Sequence, residues 1–360
     1  MNDYQSIYLD RLTAVRHRLA DWQVDGLLIT SPHNWRWLSG FTGSNAQLLV
    51  TPTAARLATD SRYWEQALAE APVFDLVQQL RAPGGGDLQM LLQETGARRV
   101  GIEAAHVSLL ALQRLRRDAP EITWVPLAET LEPLRAIKQP AELALIRAAA
   151  AITDEVMAQA PRLARPGMTE RALAWELEKV MREAGAEAAA FEIIVAAGPN
   201  SARPHHRPGE RPLQAGDAII VDLGAQVAGY KSDLTRTFYL GEEPDARFRE
   251  VFALVRAAQT AVFTHARAGM TSQAVDALAR DVIAAGGHAD HFGHGLGHSL
   301  GLEIHEDPRL SPHLPQTPIP AGAVITVEPG VYMPGWGGVR IEDLALVTAD
   351  GFERLSHCPS

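Results

Sequence analysis

The chain contains one cysteine, Cys358, among its 360 residues. A single cysteine forms no intramolecular disulfide and no cluster of thiolate metal ligands, and this usage is typical of a reducing compartment. No run of about 18 apolar residues is present, so the sequence predicts no membrane span. The first ten residues lack the basic and apolar regions of a signal peptide, and we therefore expect a cytoplasmic protein.

The chain also has fewer positively than negatively charged residues. Lys and Arg number 33 against 43 Asp and Glu, which gives a formal net charge of −10. Nucleic acids and anionic membranes attract basic surfaces, so the composition predicts neither as a partner. Hydrophobic residues make up 46% of the chain and charged residues 21%, which is ordinary for a globular protein with a sizeable core.

Two common catalytic motifs are missing. The three glycines at 84–86 are not followed by the Lys-Ser/Thr pair of a phosphate-binding loop, so they predict a plain loop. No His-Glu-x-x-His sequence occurs, and this absence argues against the zincin type of zinc peptidase.

The first part of the chain alternates helix-like and strand-like segments. Short apolar runs such as 26–29 predict strands, and Trp35 and Trp37 alternate as on a strand edge. Interleaved strands and helices indicate an α/β layer domain, which we place at residues 1–133. The remaining residues, 134–360, begin with a long alanine-rich helical segment and form a second domain.

The second domain contains an internal repeat. Residues 164–169 (ARPGMT) recur as 266–271 (ARAGMT), and residues 215–222 (AGDAIIVD) are echoed by 321–328 (AGAVITVE). The two pairs follow in the same order at nearly the same spacing, which argues against chance similarity. Each copy leads through a glycine turn between two helical segments and on to an apolar strand. The repeat therefore predicts a domain built from two similar halves.

Each half ends in a strand pair that carries carboxylates. An apolar strand leads into Asp222, and Asp233 follows on the return strand; the counterparts in the second half are Glu328 and Glu342. Face-to-face packing of the halves would bring all four together. Buried carboxylates repel one another and take up protons unless a cation neutralises them. Singly, each acid is more simply a strand-end or salt-bridged residue, but as a symmetric set they predict two divalent cations.

Histidines are dense in the same part of the chain. The spacing of His294 and His298 would suit a helical metal-binding pair, but the intervening glycines disfavour a helix. Glycines instead allow the backbone to approach a ligand closely. Imidazole added to carboxylate oxygens extends the choice of metal from manganese, magnesium or calcium to zinc, cobalt or iron. The histidines of this region are His288, His291, His294, His298 and His305.

These residues resemble a known family. Residues 294–306 (HGLGHSLGLEIHE) resemble the signature of the proline-specific pita-bread metallopeptidases, which are the Xaa-Pro aminopeptidases and Xaa-Pro dipeptidases. In the first domain, residues 38–46 (LSGFTGSNA) and 59–63 (TDSRY) resemble the creatinase-type N-terminal domain. Further blocks resemble the family in order: 198–201 (GPNS), 204–205 (PH), 221–224 (VDLG), 232–237 (SDLTRT), 327–330 (VEPG) and 339–343 (VRIED).

The resemblance covers effectively the whole chain and implies its fold. That fold is an α/β N-terminal domain followed by an α+β pita-bread catalytic domain, of the creatinase and aminopeptidase type, with an internal pseudo-two-fold repeat. In this family the N-terminal domain often mediates dimers, so we expect a homodimer.

The resemblance also implies a ligand set for two divalent metal ions. Asp233 and Glu342 would bridge the two ions, Asp222 would complete one site, and His298 with Glu328 would complete the other. Both sites are rich in oxygen with one imidazole, which is consistent with manganese and leaves zinc or cobalt possible.

Four further residues receive roles by resemblance. His205, His294 and His305 correspond to substrate-binding and proton-transfer groups, and Arg340 to a partner of a ligand carboxylate or of the substrate. We expect Glu328 to accept a proton from the attacking water and to pass it to the leaving proline nitrogen. We expect His305 to stabilise the developing oxyanion.

The activity within the family stays open. The block at 43–45 and the compact length favour an Xaa-Pro aminopeptidase, which hydrolyses the Xaa-Pro bond of peptides with proline at the second position. An Xaa-Pro dipeptidase, or prolidase, is the alternative. A metal-free hydrolase on the same fold, as in creatinase, or a non-catalytic peptide-binding relative would be expected to have lost ligands, and here all five positions are filled.

Overall fold

The structure is a computed structural model that describes residues 3–79, 87–314 and 316–359. The glycine run at 84–86 therefore lies outside the described residues. The chain divides into two compact units, Met1–Arg135 and Ala136–Ser360, called unit 1 and unit 2 below. None of the described helices is long and apolar enough to cross a membrane.

Unit 1 contains a six-stranded sheet with the strand order β4-β3-β2-β1-β5-β6. The central strand β1 pairs antiparallel with β2 and parallel with β5. Its strands are β1 (Gly26–Ile29), β2 (Gln47–Val50), β3 (Ala55–Asp60), β4 (Asp75–Gln79), β5 (Arg99–Glu103) and β6 (Thr123–Leu127). Its helices are α1 (Asp3–Asp21), α2 (Pro32–Ser39), α3 (Trp64–Glu70), α4 (Asp87–Leu92), α5 (Leu109–Asp118) and α6 (Glu132–Arg135).

The expected strand edge at Trp35 and Trp37 is wrong, because both lie in α2 and are buried. Pro32 occupies the first turn of this helix, where its missing N–H costs nothing, and Gly40 ends it with a φ of 82°. Two alternating tryptophans are too short a pattern to separate a strand from a helix, whereas the proline and glycine at its ends mark a helix.

A buried polar network anchors α6 within unit 1. The Asn34 side-chain amide donates to Glu103 Oε1 and to Glu132 Oε1, each at 2.7 Å, and Arg135 Nη1 donates to Asn34 Oδ1 at 2.7 Å. Glu132 Oε2 also accepts from the Thr130 N–H at 2.7 Å. Burial alone would raise the pKa of Glu132, but the hydrogen bonds from Asn34 and Thr130 outweigh it, and the pKa lies below its usual value.

The low pKa of Glu132 predicts a pH-dependent contribution to stability. Because the folded pKa is depressed, the ionised side chain stabilises unit 1 above the unfolded value of about 4.3, and this contribution disappears as the pH falls through the folded pKa. We expect Glu132→Gln to lower the free energy of unfolding by about 1–2 kcal/mol at pH 7, and the difference from wild type to shrink at pH 3. Urea titrations read through hydrogen exchange of β1 and β5 check this; equal differences at both pH values would contradict it.

The described residues of unit 2 form four long helices and four small sheets. The sheets have the orders β12-β9-β8, β11-β10-β7, β14-β13-β15-β18-β19 and β16-β17. The helices are α7 (Pro140–Leu163), α8 (Glu170–Glu183), α9 (Ala246–His265) and α10 (Ser272–Ala285), with short 3-10 helices at Gly198–Ala202 and Ala289–His291. The strands are β7 (Ala188–Ala189), β8 (Ile194–Ala197), β9 (Ala218–Leu223), β10 (Ala225–Val227), β11 (Tyr230–Lys231), β12 (Leu234–Tyr239), β13 (Gly297–Ser299), β14 (Glu306–Leu310), β15 (Val324–Val327), β16 (Gly330–Met333), β17 (Gly337–Arg340), β18 (Asp343–Val347) and β19 (Phe352–Arg354).

The internal repeat is visible in the backbone of unit 2. Gly167 and Gly269 adopt φ values of 86° and 84°, a region that favours glycine. Each is followed two residues later by a threonine that caps a helix, because the hydroxyls of Thr169 and Thr271 accept from backbone N–H groups of the first turns of α8 and α10. The two halves therefore share one local geometry as well as one sequence pattern.

The strand pairs at the ends of the halves differ from the predicted pattern in one respect. The sequence predicts a continuous return strand through Glu342, but β17 ends at Arg340 and β18 begins at Asp343. The strand is interrupted because β17 pairs with β16 whereas β18 pairs with β15, so the chain passes from one sheet to another at this point. Asp233 likewise lies just before β12. Both carboxylates therefore lie at strand ends.

Candidate metal centre

Hydrogen bonds from β12 hold the two halves together at the end of their strands. The Thr235 hydroxyl donates to Glu342 Oε2 at 2.7 Å, and the Glu342 N–H donates to the Thr235 carbonyl at 3.1 Å. The Thr237 hydroxyl donates to the Arg340 carbonyl at 2.8 Å and accepts from the Arg340 N–H at 3.0 Å. All of these residues are buried. The register between the halves is thus fixed beside the carboxylates.

Arg236 lies between the two threonines and pairs with Asp343, so this nearby acid is not a candidate metal ligand. Its guanidinium donates to Asp343 Oδ1 at 2.6 Å, and Arg354 contacts the other oxygen of the same carboxylate. Asp343 is therefore satisfied by two cationic side chains and belongs to the scaffold. Arg236 was not among the residues predicted for the site, although a charged residue inside an otherwise uncharged strand is a signal for such a buried pair.

The five residues predicted as metal ligands lie together. Asp222, Asp233 and Glu342 are buried, and each offers a carboxylate oxygen within 4.8 Å of the others. His298 Nε2 lies 3.5 Å from Glu328 Oε1 and 3.8 Å from Asp233 Oδ2. The arrangement brings four carboxylates and one imidazole to a single point between the halves.

The imidazole of His298 is oriented for ligation. Its Nδ1 lies 3.1 Å from the Ser299 carbonyl, which can only accept, so Nδ1 carries the proton. The lone pair of Nε2 then faces the carboxylates, which is the usual arrangement of a metal-binding histidine. Glu328 is fixed in turn by the Thr326 hydroxyl, which donates to its Oε1 at 3.1 Å.

Arg340 donates a hydrogen bond to one carboxylate oxygen of Asp222 and leaves the other oxygen without a partner. Its Nη2 donates to Asp222 Oδ2 at 2.6 Å, while Asp222 Oδ1 is buried and has no hydrogen-bond partner. A buried carboxylate oxygen without a partner is costly. The unpartnered oxygen belongs to the carboxylate cluster, so a bound cation would satisfy it.

The pKa values of the acids show that the negative charge of the cluster is not neutralised. Burial, together with the charges of Glu342, Asp222 and Glu328, raises the pKa of Asp233 well above its usual value. Burial and the charges of Glu328 and Asp222 do the same to the pKa of Glu342, and burial raises the pKa of Glu328 to about 7. One guanidinium does not neutralise four carboxylates. The residues present therefore fit divalent cations, whose charge would replace that of the protons.

A cavity of about 560 Å³ opens beside this cluster. It is lined by the five candidate ligands and by His205, His294, His305 and Arg340, the remaining residues predicted for the site. His305 lies against His298, with 4.4 Å between the ring centroids, and burial lowers its pKa. His205 is exposed on the wall of the cavity.

Tyr332, which the sequence analysis did not identify, connects two of these residues. Arg340 Nη1 donates to the Tyr332 hydroxyl at 3.0 Å, and that hydroxyl lies 2.9 Å from His294 Nε2. His294 Nδ1 donates to the Gly295 carbonyl at 2.7 Å, so Nε2 is the acceptor of the tyrosine proton. Burial and the charge of Arg340 lower the pKa of His294 to about 4, and the ring is neutral at pH 7.

Two histidines of the dense region do not belong to the site. His288 and His291 face each other, with 3.2 Å between their Nδ1 atoms, and neither lines the cavity. They follow α10, whereas His294 lies on the segment that leads into β13 and His298 lies within β13. Neither histidine is among the residues predicted for the site.

Two families match the chain, one for each part. Residues 144–349 match Metallopeptidase family M24. The chain belongs to this family. Residues 11–137 match the Creatinase/Prolidase N-terminal domain. The family resemblance and the two-part fold predicted from the sequence are confirmed.

Relatives of this M24 chain match it over nearly its whole length. An uncharacterized peptidase, YqhT, of Bacillus subtilis is 37% identical and covers 97% of this chain and 98% of its own. A solved Xaa-Pro dipeptidase from Bacillus anthracis has a TM-score of 0.95 at 35% identity and covers 98% of both chains. An X-Pro aminopeptidase from Thermotoga maritima has a TM-score of 0.87 at 34% identity and covers 94% of this chain and 96% of its own.

The geometry predicts that Glu342 is required for metal binding. Glu342→Gln keeps the shape and an acceptor for Thr235 but removes one charge from the cluster. We expect a loss of metal affinity beyond the roughly 10- to 100-fold that removal of a supporting group costs. Because the substitution also relieves repulsion, the metal-free variant should unfold at the same temperature as metal-free wild type or higher. Elemental analysis and thermal unfolding measure the two effects.

Glu192→Gln is the matched control. Glu192 lines the same cavity but its side chain is 68% exposed and contacts Arg207. This variant should retain the metal content of wild type. Full metal loading of Glu342→Gln at limiting metal concentration would show that Glu342 is not a ligand.

Proposed function

We propose that this chain is a metal-dependent exopeptidase that hydrolyses the bond between an N-terminal residue and a following proline. The observation that carries the proposal is the buried carboxylate cluster, with its unpartnered Asp222 oxygen, beside a cavity lined by five histidines, one of which is the candidate ligand His298. The names of its M24 relatives supply the substrate class, since both the Xaa-Pro dipeptidase and the X-Pro aminopeptidase resemble the chain over nearly its full length.

The five clustered residues, Asp222, Asp233, His298, Glu328 and Glu342, would hold two divalent cations. When bound, such ions lower the pKa of a water molecule and polarise the scissile carbonyl. The ligand set is mostly hard carboxylate oxygen, and we propose manganese as the native metal.

The side chains around the cluster provide the remaining steps. Glu328 lines the cavity and is held by Thr326 through one oxygen, and we assign it the transfer of a proton from water to the proline nitrogen. His294 is kept neutral and fixed by Tyr332, so it contacts substrate as an uncharged ring. His305 also lines the cavity, on the face of His298, and we assign it stabilisation of the oxyanion.

Selectivity for proline follows from the chemistry of the Xaa-Pro bond. The bond to proline is a tertiary amide without an N–H group, so a site for it needs no acceptor at that position. Phe191, Ile304 and Leu314 contribute apolar lining to the same cavity, which suits a proline ring.

The length of the preferred substrate separates two candidate functions. We take the cavity volume of about 560 Å³ as room for residues beyond proline, and this supports an Xaa-Pro aminopeptidase as the first candidate. An Xaa-Pro dipeptidase is the second candidate, and the higher TM-score of the solved dipeptidase, 0.95 against 0.87, favours it. We propose a cytoplasmic homodimer in either case.

Peptide hydrolysis after metal exchange tests the proposal. The enzyme is treated with a chelator, reloaded with manganese, zinc or cobalt, and assayed on Ala-Pro, Ala-Pro-Ala and the control peptide Ala-Ala-Ala. We expect no activity without metal, the highest activity with manganese, and cleavage of both proline peptides but not of the control. Faster cleavage of the tripeptide identifies the aminopeptidase, and cleavage of the dipeptide alone identifies the dipeptidase. Cleavage by the chelated enzyme, or equal rates on all three peptides, would contradict the proposal.

A further inference from the structure

A buried carboxylate outside the candidate metal centre lies behind one wall of the cavity. Glu170 is the first residue of α8, is fully buried, and does not line the cavity. Its Oε1 accepts from the Ala197 N–H and the Asn200 side-chain amide, both at 2.9 Å. Its Oε2 accepts from the Gly209 N–H at 3.1 Å and lies 2.8 Å from His206 Nε2. One side chain thus ties together both ends of the segment 197–209.

The segment 197–209 carries His205 into the cavity. His205 and His206 both line the cavity wall, and only His206 contacts Glu170. On the other side of His205, the Pro204 carbonyl accepts from Arg340 Nη1 at 3.2 Å. The residues immediately before and after His205 are therefore both fixed, one by the second half of unit 2 and the other by Glu170.

The start of α8 does not need Glu170 as a cap, because the Thr169 hydroxyl already accepts from the first turn. In the other half, the equivalent first residue of α10 is Ser272. Its hydroxyl donates to the Arg309 carbonyl at 2.6 Å and accepts from the Ser311 N–H at 3.0 Å. Arg309 and Ser311 line the same cavity. The same helix position therefore holds a cavity-lining segment in each half, through a different side chain.

We infer that Glu170 is a positioning residue, which acts through His206 and the segment 197–209 to hold His205 at the cavity wall. The inference rests on the proposed function for the consequence in catalysis, but the tether itself is a property of the folded chain. Loss of one oxygen acceptor leaves Gly209 N–H or Ala197 N–H facing an amide donor, so Glu170→Gln should loosen the segment without altering the candidate metal ligands.

A double-mutant cycle tests whether Glu170 acts through His205. Glu170→Gln should lower kcat/KM for Ala-Pro-Ala by roughly 10- to 100-fold, since small displacements of a substrate-contacting group cost up to about that much. His205→Ala should lower it by a similar or larger factor. The double variant should be no slower than His205→Ala within about twofold, because a residue that acts only through His205 has nothing further to lose. Multiplication of the two effects would overturn the inference.

Glu142→Gln is the matched control. Glu142 is also a buried carboxylate in the first turn of its helix, α7, where it accepts from the Tyr230 hydroxyl, and it does not line the cavity. This substitution makes the same chemical change away from the segment 197–209. It should leave kcat/KM within about threefold of wild type, and an equal loss in both variants would show that Glu170→Gln acts through general destabilisation.

Hydrogen exchange gives a readout that does not depend on activity. In the metal-free enzyme, Glu170→Gln should accelerate exchange in peptides that contain Ala197 and Gly209, and Glu142→Gln should not. Unchanged exchange in Glu170→Gln would overturn the inference. If wild type failed to cleave Xaa-Pro peptides while the exchange result held, the proposed function would fail and the tether would stand.

Two substitutions at His206 keep the test decisive should Glu170→Gln not fold. His206→Ala removes the contact to Glu170 from the loop side, and His206→Gln restores an N–H donor near the position of Nε2. We expect His206→Ala to lower kcat/KM and to accelerate exchange at 197–209, and His206→Gln to recover most of both. Equal defects in the two variants would overturn the inference.

Discussion

The mutual repulsion of four carboxylates that lie close together dominates the electrostatics of the candidate metal centre. Asp222, Asp233, Glu328 and Glu342 come from two halves of the chain, and the hydrogen bonds of Thr235 and Thr237 hold them at close range. Like charges in a buried site are tolerated only where protons or cations compensate them. The scaffold supplies one guanidinium and otherwise leaves the charge uncompensated, which is the arrangement expected of a site that binds metal after folding.

The internal repeat explains how such a site arises and how its halves diverge. The same turn, threonine cap and strand occur twice, so each half contributes a pair of acids at equivalent positions. The surroundings are not equivalent, since the second half alone provides His298, Arg340 and Tyr332. Glu170 and Ser272 show the same divergence outside the cluster. At equivalent helix positions, a carboxylate in one half and a hydroxyl in the other each hold a segment that lines the cavity. The repeat thus accounts for the two equivalent pairs of acids, and the side chains that occur in one half alone make the two sides of the site different.

Much of this arrangement could be predicted from the sequence, because repeats and strand-end acids are local patterns. Two patterns were sufficient to predict that the acids lie together: the repeat of residues 164–169, and the apolar runs before Asp222 and Glu328. Features that depend on distant partners were missed. Tyr332 and Glu170 look ordinary in the sequence, since their partners include His294 and Asn200, which lie 38 and 30 positions away in the chain. The interruption at Glu342 was missed because adjacent strand-like residues do not reveal a change of sheet, and α2 was missed because two tryptophans are too short a pattern.

Anomalous diffraction shows whether cations complete this cluster. Crystals grown with manganese and measured at its absorption edge should show two peaks among the five side chains, with one oxygen of Asp222 in contact with a peak and the other still bonded to Arg340. The absence of any anomalous peak there, with the carboxylates apart and each paired to a protein donor, would contradict the account.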